Sequence, residues 1–147
     1  SRSSAASDVY KRQEQYLEYS LKYIKKILKK LSEDPVTNKT PTIVFARDPK
    51  CNLDEFKLDD LSCYGMFTSI DRSSAIKVFE GSHALQGNLD PKILLEEDSV
   101  IKESVLKILS EFKDFPGYIF NLGHGITPDI NPDKVKVLVE AIRESGS

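Results

Sequence analysis

From Gln15 the apolar residues fall at helical spacing: Leu17, Leu21, Ile24, Leu28 and Leu31 stand at i, i+4, i+7, i+11 and i+14. Lys22, Lys25, Lys26, Lys29 and Lys30 fill the other face. The spacing predicts a helix over 15–31 packed by its leucine stripe. The lysines read as a solvated face rather than a membrane-binding one. Residues 32–41 are polar and rich in turn formers. Thr42-Ile43-Val44-Phe45-Ala46 is then a short apolar run without alternation, which predicts a strand buried on both faces, as in a parallel sheet. Residues 53–61 predict a short helix with Asn52 as its candidate cap. Cys63-Tyr64-Gly65-Met66-Phe67 predicts a second strand, weakened by its glycine. Asp71 predicts the cap of a helix over 72–79, with Ile76 and Phe79 inward.

The rhythm continues. His83-Ala84-Leu85-Gln86 predicts a third strand, and Asp90-Pro91 the cap and first position of a helical turn. Ile101, Val105, Ile108, Leu109 and Phe112 mark a long amphipathic helix that starts near Asp98-Ser99. Gly117-Tyr118-Ile119-Phe120-Asn121 predicts the fourth strand. Asn131-Pro132-Asp133 opens the last helix by cap, proline and acidic first turn, with Val135, Leu138, Val139 and Ile142 inward. Strict alternation of helices and apolar strands means a parallel sheet with crossover helices. On pattern alone, a doubly wound open sheet and part of an eight-fold βα barrel both fit.

Composition narrows the classes. A chain of 147 residues suffices for one domain, and 21 basic against 23 acidic residues leave a net charge of −2. That balance gives no electrostatic reason to expect nucleic acid or an anionic membrane as partner. No apolar run approaches the length of a membrane-spanning helix. Cys51 and Cys63 form no disulfide framework and match no zinc spacing, so both read as reduced thiols in a cytosol-like compartment. At the start, Ser3-Ser4-Ala5-Ala6-Ser7-Asp8-Val9-Tyr10-Lys11-Arg12-Gln13 resembles an in-frame translation of a transposase adapter used to prepare sequencing libraries. Residues 1–13 are therefore set apart from the fold. Without a starting methionine, the chain is expected to be a piece of a longer protein.

In either architecture a ligand site lies at the C-terminal ends of the strands. Polar groups and glycines gather there: Arg47-Asp48 after the first strand, Gln86-Gly87-Asn88-Leu89-Asp90 after the third, Asn121-Leu122-Gly123-His124-Gly125 after the fourth. His124 is the sharpest candidate, because flanking glycines let the backbone bend and a ligand approach. Two readings stay open for it: ligand contact, or a loop histidine bonding its own backbone. His83 sits at the start of a strand, away from that end, and reads as structural. Arg47-Asp48 reads as a salt-bridged loop before it reads as a site. No Gly-x-Gly-x-x-Gly, Walker A loop or Gly-x-Ser-x-Gly elbow occurs. Two histidines and two scattered cysteines give no zinc cluster, and no catalytic side chain or metal ligand is assigned.

At these same loops the sequence resembles the uroporphyrinogen decarboxylase family. Ala84-Leu85-Gln86-Gly87-Asn88-Leu89-Asp90-Pro91 is similar to the family segment after its penultimate strand. Tyr118-Ile119-Phe120-Asn121-Leu122-Gly123-His124-Gly125-Ile126 is similar to the end of its last strand, and Thr127-Pro128-Asp129-Ile130-Asn131-Pro132-Asp133-Lys134-Val135 continues the match. The middle departs: Gly65-Met66-Phe67-Thr68 stands where the family usually has Gly-Leu-Asp-Trp.

The resemblance implies that residues 14–147 are the C-terminal part of a (β/α)8 TIM-type barrel: four parallel strands in sequence order with outer helices. It implies a cofactor-free carboxy-lyase, usually a homodimer, that converts uroporphyrinogen III to coproporphyrinogen III by removing four acetate carboxylates, in heme and chlorophyll synthesis. Each protonated pyrrole serves as the electron sink. The family's arginine-rich segment and pyrrole-binding aspartate precede this stretch; only its C-terminal substrate-contacting histidine maps here, onto His124. The expected compartment is the cytoplasm, or a plastid if the parent carries a transit peptide. Two alternatives are a zinc- and cobalamin-linked methyltransferase of the same superfamily, disfavoured by the absence of a His-x-Cys pair, and a non-catalytic truncated βα fragment.

Overall fold

The computed structural model describes residues 10–146. Residues 10–33 are one helical stretch, in which a widened π turn at Leu17–Leu21 leads into α1, Lys22–Glu33. It is helical upstream of the expected Gln15, because Lys11-Arg12-Gln13-Glu14 contains no glycine or proline to stop it. Of the adapter-like segment, residues up to Val9 lie outside the described residues, and Tyr10 is 69% exposed.

Four short strands follow: β1 (Ile43–Phe45), β2 (Cys63–Gly65), β3 (Ala84–Gln86) and β4 (Tyr118–Ile119). They form one parallel sheet in the order β1-β2-β3-β4. Between and after them come α2 (Arg72–Phe79), α3 (Asp98–Glu111) and α4 (Pro132–Ser145), with 3₁₀ turns at Leu53–Phe56 and Pro91–Leu95. The expected caps form: Asp71 accepts from the Ser74 amide, Asp90 from Lys92 and Asn131 from Asp133.

Register explains the layering. Val44, Tyr64, Leu85 and Tyr118 stand side by side across the sheet. This row packs into the single apolar cluster with Phe56, Phe79, Ile101, Val105 and Leu138 from the helical segments. Tyr64 lies between Phe56 and Phe79, at centroid distances of 4.8 and 5.1 Å, and Tyr118 stacks on Phe112 at 3.9 Å. The alternate row ends in exposed residues at both edges: Ile43 50%, Phe45 49% and Ile119 43%. Strands in sequence order with helices over one face are the wall of a half-barrel; a doubly wound sheet would reverse its order and carry helices on both faces.

Two expectations need correction. β1 is not buried on both faces, because it is an edge strand and its second face is the open one. The helix expected over 53–61 is a single 3₁₀ turn, without a side-chain cap from Asn52. The chain leaves the turn because its next groups are taken elsewhere. The Ser62 amide donates to the Thr42 carbonyl of the sheet, and the Leu58 carbonyl accepts from His83. Both thiols are free. Burial pushes the Cys51 thiol up to about 11, with the Glu55 carboxylate adding to the rise, and burial raises Cys63 as well.

Two outcomes follow from this packing. The Tyr64 hydroxyl is buried without a hydrogen-bond partner among the described residues. Tyr64→Phe is expected to leave stability within about 1 kcal/mol of the parent or raise it, whereas Tyr64→Ala is expected to cost about 3–5 kcal/mol in urea melts. The raised thiols form thiolate only as pH climbs well above neutral. Iodoacetamide at pH 7 is therefore expected to alkylate Cys51 in the native chain roughly 100-fold more slowly than in the unfolded chain, a difference that shrinks as pH rises.

Candidate functional site at the strand ends

The C-terminal strand ends carry the loops that the sequence singled out. After β1, Arg47 and Asp48 are exposed, and Asp48 takes a positive φ of 48°. Its carboxylate lies 2.5 Å from the Lys50 ammonium, so Asp48 pairs within its own loop but with Lys50 rather than Arg47. Such an exposed pair contributes little.

After β3 the chain presses against the loop that follows β2. Gly87 has φ 118°, and a Cβ there would sit 2.8 Å from the Met66 carbonyl oxygen. Asn88 next to it is 2% exposed. Its Nδ2 donates to the carbonyls of Phe67 at 3.0 Å and Ile70 at 2.9 Å, and its Oδ1 accepts from Arg72 Nη1 at 3.3 Å. Arg72 is held in turn by two hydrogen bonds to the Glu111 carboxylate on α3, Nη2···Oε1 being 3.1 Å, and this pairing raises the guanidinium pKa. The Tyr118 hydroxyl donates to the Gly87 carbonyl. Asn88 therefore turns both amide ends into the protein and braces the loop after β2. It is not a polar group offered to a ligand.

After β4 the ladder runs on past the strand. Leu89 N donates to Asn121 O at 3.1 Å and Gly123 N to Leu89 O at 2.8 Å. A Cβ at Gly123 would lie 2.6 Å from the Thr68 amide nitrogen, so only glycine fits between these loops. That approach sets the half-buried His124 ring beside Phe67, with centroids 5.7 Å apart and planes at 33°. His124 Nδ1 donates to the Gly125 carbonyl at 2.9 Å. The two readings of His124 are thus compatible: one ring nitrogen satisfies the neighbouring backbone and fixes the ring, while Nε2 has no partner among the described residues. His83 is structural as expected, its Nε2 donating to the Leu58 carbonyl at 2.9 Å and its Nδ1 lying 2.9 Å from the Ser82 hydroxyl.

Sequence reasoning named His124 but missed its neighbours. Phe67 was visible only as a departure from the family pattern. Nothing in the spacing of Arg72, Asn88 and Glu111 announced that they would meet. Among the described residues no group of three or more His, Cys, Asp and Glu side chains is placed to hold a metal ion, and no helix is long and apolar enough to cross a membrane.

A βα-barrel wall with a glycine-flanked histidine at the C-terminal strand ends defines the class: a barrel protein of the kind whose ligand chemistry sits on those loops. The chain belongs to the uroporphyrinogen decarboxylase family, whose model, described as Uroporphyrinogen decarboxylase (URO-D), matches residues 10–145. It is similar to the uroporphyrinogen decarboxylase of Alcanivorax borkumensis, 37% identical over 131 residues that cover 89% of this chain and 37% of that protein. The Hahella chejuensis uroporphyrinogen decarboxylase is 36% identical over 129 residues, covering 88% of this chain and 36% of the relative. The Chlorobium chlorochromatii one is 38% identical over 141 residues, covering 92% and 39%. The chain thus spans well under half the length of these relatives.

Asn88→Ala removes three hydrogen bonds and leaves two carbonyls and a guanidinium short of a partner. It is expected to cost about 2–4 kcal/mol in chemical denaturation. Asn88→Asp is expected to be no better, because a carboxylate cannot donate to the Phe67 and Ile70 carbonyls.

Proposed function

We propose that residues 14–147 are the C-terminal part of a uroporphyrinogen decarboxylase, with residues 1–13 adapter-derived. In the complete enzyme the substrate is a tetrapyrrole, uroporphyrinogen III, and the product is coproporphyrinogen III. A pyrrole ring is protonated; the bond between an acetate methylene and its carboxylate breaks; the electron pair flows into the ring and carbon dioxide leaves. A proton delivered to the methylene carbon, with release of the proton first added to the ring, restores the aromatic pyrrole and leaves a methyl group. The chemistry calls on no external cofactor. His124 is the substrate-binding residue of this portion: held through Nδ1, it offers Nε2 to a substrate carboxylate. The enzyme is a homodimer of the cytoplasm, or of a plastid, acting on a small molecule rather than on nucleic acid or a membrane.

The observation that carries this reading is the family match over 10–145, with the glycine-flanked His124 at the strand ends. One structural fact favours a second reading for the 147 residues alone, that of a non-catalytic piece: among the described residues the sheet is open at both edges and along one face. The isolated chain is accordingly not expected to turn over uroporphyrinogen.

The test uses full-length parent enzyme and its His124→Asn variant. Losing a hydrogen bond to a charged carboxylate is worth about 1.5–3 kcal/mol, so kcat/KM is expected to fall about 10- to 150-fold with little change in Tm. Equal efficiency would show that His124 has no part in substrate handling, and a large drop in Tm would place its role in the fold.

A further inference from the structure

The chain between β2 and α2 makes one turn, from Phe67 to Ile70, and that turn is clamped at both ends. The Ile70 amide donates to the Phe67 carbonyl at 3.0 Å, and Asp71 caps α2 directly behind it. Asn88 reaches across from the end of β3 and donates to the carbonyls of both Phe67 and Ile70. Its neighbour Leu89 accepts the Gly123 amide at 2.8 Å. One dipeptide, Asn88-Leu89, thus holds the turn by a side chain and the histidine loop by its backbone. Between the two, Thr68 lies so close to Gly123 that no Cβ would fit there. The Thr68 hydroxyl is buried without a hydrogen-bond partner among the described residues, so its contact with Gly123 is one of shape alone. In such close packing a shift of the turn becomes a shift of Gly123, and of His124 after it.

Behind the dipeptide stands an ion pair. Arg72, the first residue of α2, donates Nη1 to Asn88 Oδ1 at 3.3 Å, and its Nε and Nη2 to the Glu111 carboxylate at the end of α3. The two side chains are only 25% and 31% exposed, and a two-point contact of this kind fixes direction as well as distance. The guanidinium also decides which way the Asn88 amide faces. A cation can meet only the oxygen, so the nitrogen must face the two carbonyls of the turn. Glu111 keeps the guanidinium from swinging out to solvent. These groups belong to the inner strands β2 and β3 and to the helices that follow them, away from the open edges of the sheet.

We propose that the Glu111–Arg72 pair on the helical layer is a positioning device for His124, acting through Asn88 and the Phe67–Ile70 turn to set the height of the histidine loop at the strand ends. Glu111 and Arg72 do not touch the substrate. They are positioning residues, and their effect on turnover passes through the placement of one imidazole. The proposal rests on the reading of His124 as a substrate-binding residue and deepens it: a carboxylate on an outer helix governs how well that residue is aimed. A small misplacement of a contacting group is costly when binding depends on direction.

The experiment uses the full-length parent enzyme and a double-mutant cycle of Glu111→Gln with His124→Asn. Turnover of uroporphyrinogen III is measured, and the His124 ring is followed by NMR of 13C-labelled histidine, its signal assigned by its loss in His124→Asn. Glu111→Gln is expected to shift the His124 signal and to lower kcat/KM about 2- to 30-fold, the range for residues that act through a packed network. In the His124→Asn background the same change is expected to alter kcat/KM by less than about twofold, because the residue it would misplace is already gone. Arg72→Lys, which keeps the charge and loses the two-point contact, is expected to behave alike and gives the reading should Glu111→Gln fail to fold. The proposal is overturned if the His124 signal stays in place, or if Glu111→Gln lowers activity by the same factor in both backgrounds, as a purely stabilising pair would. If the signal moves while neither Glu111→Gln nor His124→Asn changes turnover, the positioning stands and the reading of His124 as a substrate contact fails.

Discussion

One row of four side chains, Val44, Tyr64, Leu85 and Tyr118, organises everything else in this chain. Each comes from a different strand, and all four must be kept from water on the same side. Right-handed crossovers between parallel neighbours deliver α2 and α3 to that side, and α1 and α4 pack into the same cluster. The bulk of the row then selects its covers: two aromatic rings clasp Tyr64, and one lies flat on Tyr118. The other side of the sheet is left bare, and the polar loops are left at one end of the strands. The site is a by-product of covering one face well.

Above the sheet, the loops are held by polar contacts rather than by apolar packing. Asn88, Arg72 and Glu111 link β3, α2 and α3 through hydrogen bonds, one end of which is fully buried. In a partly shielded setting such a network is stiff, because each unpaired member costs more than each pair gains. The stiffness is passed to the backbone at Phe67 and Ile70, and from Phe67 to the ring that lies beside His124. The histidine is positioned from two sides, by its own Nδ1 bond and by a neighbour held from beneath.

Much of this was legible in the chain itself. Four strands and three caps followed from apolar runs and from Asp71, Asp90 and Asn131, because each is a local signal, whereas the order of the strands came from the family resemblance. The turn at Leu53–Phe56 was overestimated because Ser62 and Leu58 bond to the sheet and to His83, and no window of sequence contains those partners. β1 was read as buried on both faces because an apolar run does not say which strand is at an edge. His124 was visible from its glycines. Asn88 read as a polar loop residue, although its amide faces carbonyls some twenty residues earlier in the chain. Phe67 was legible only against a family pattern, as a ring where a carboxylate is usual.

The strand order has a bearing on how the chain reaches this structure. Every pairing joins neighbours in sequence: Ile43 to Cys63, Cys63 to Ala84, Leu85 to Tyr118. Among the described strands none waits for a partner from the far end, so each loop closed is short and its entropic cost grows only as the logarithm of its length. Such a sheet can lengthen one βα unit at a time as the polypeptide emerges from the ribosome, with β1 and β2 docked while β4 is still being made. The newest strand is an open edge throughout that growth, and each arriving unit closes it in turn.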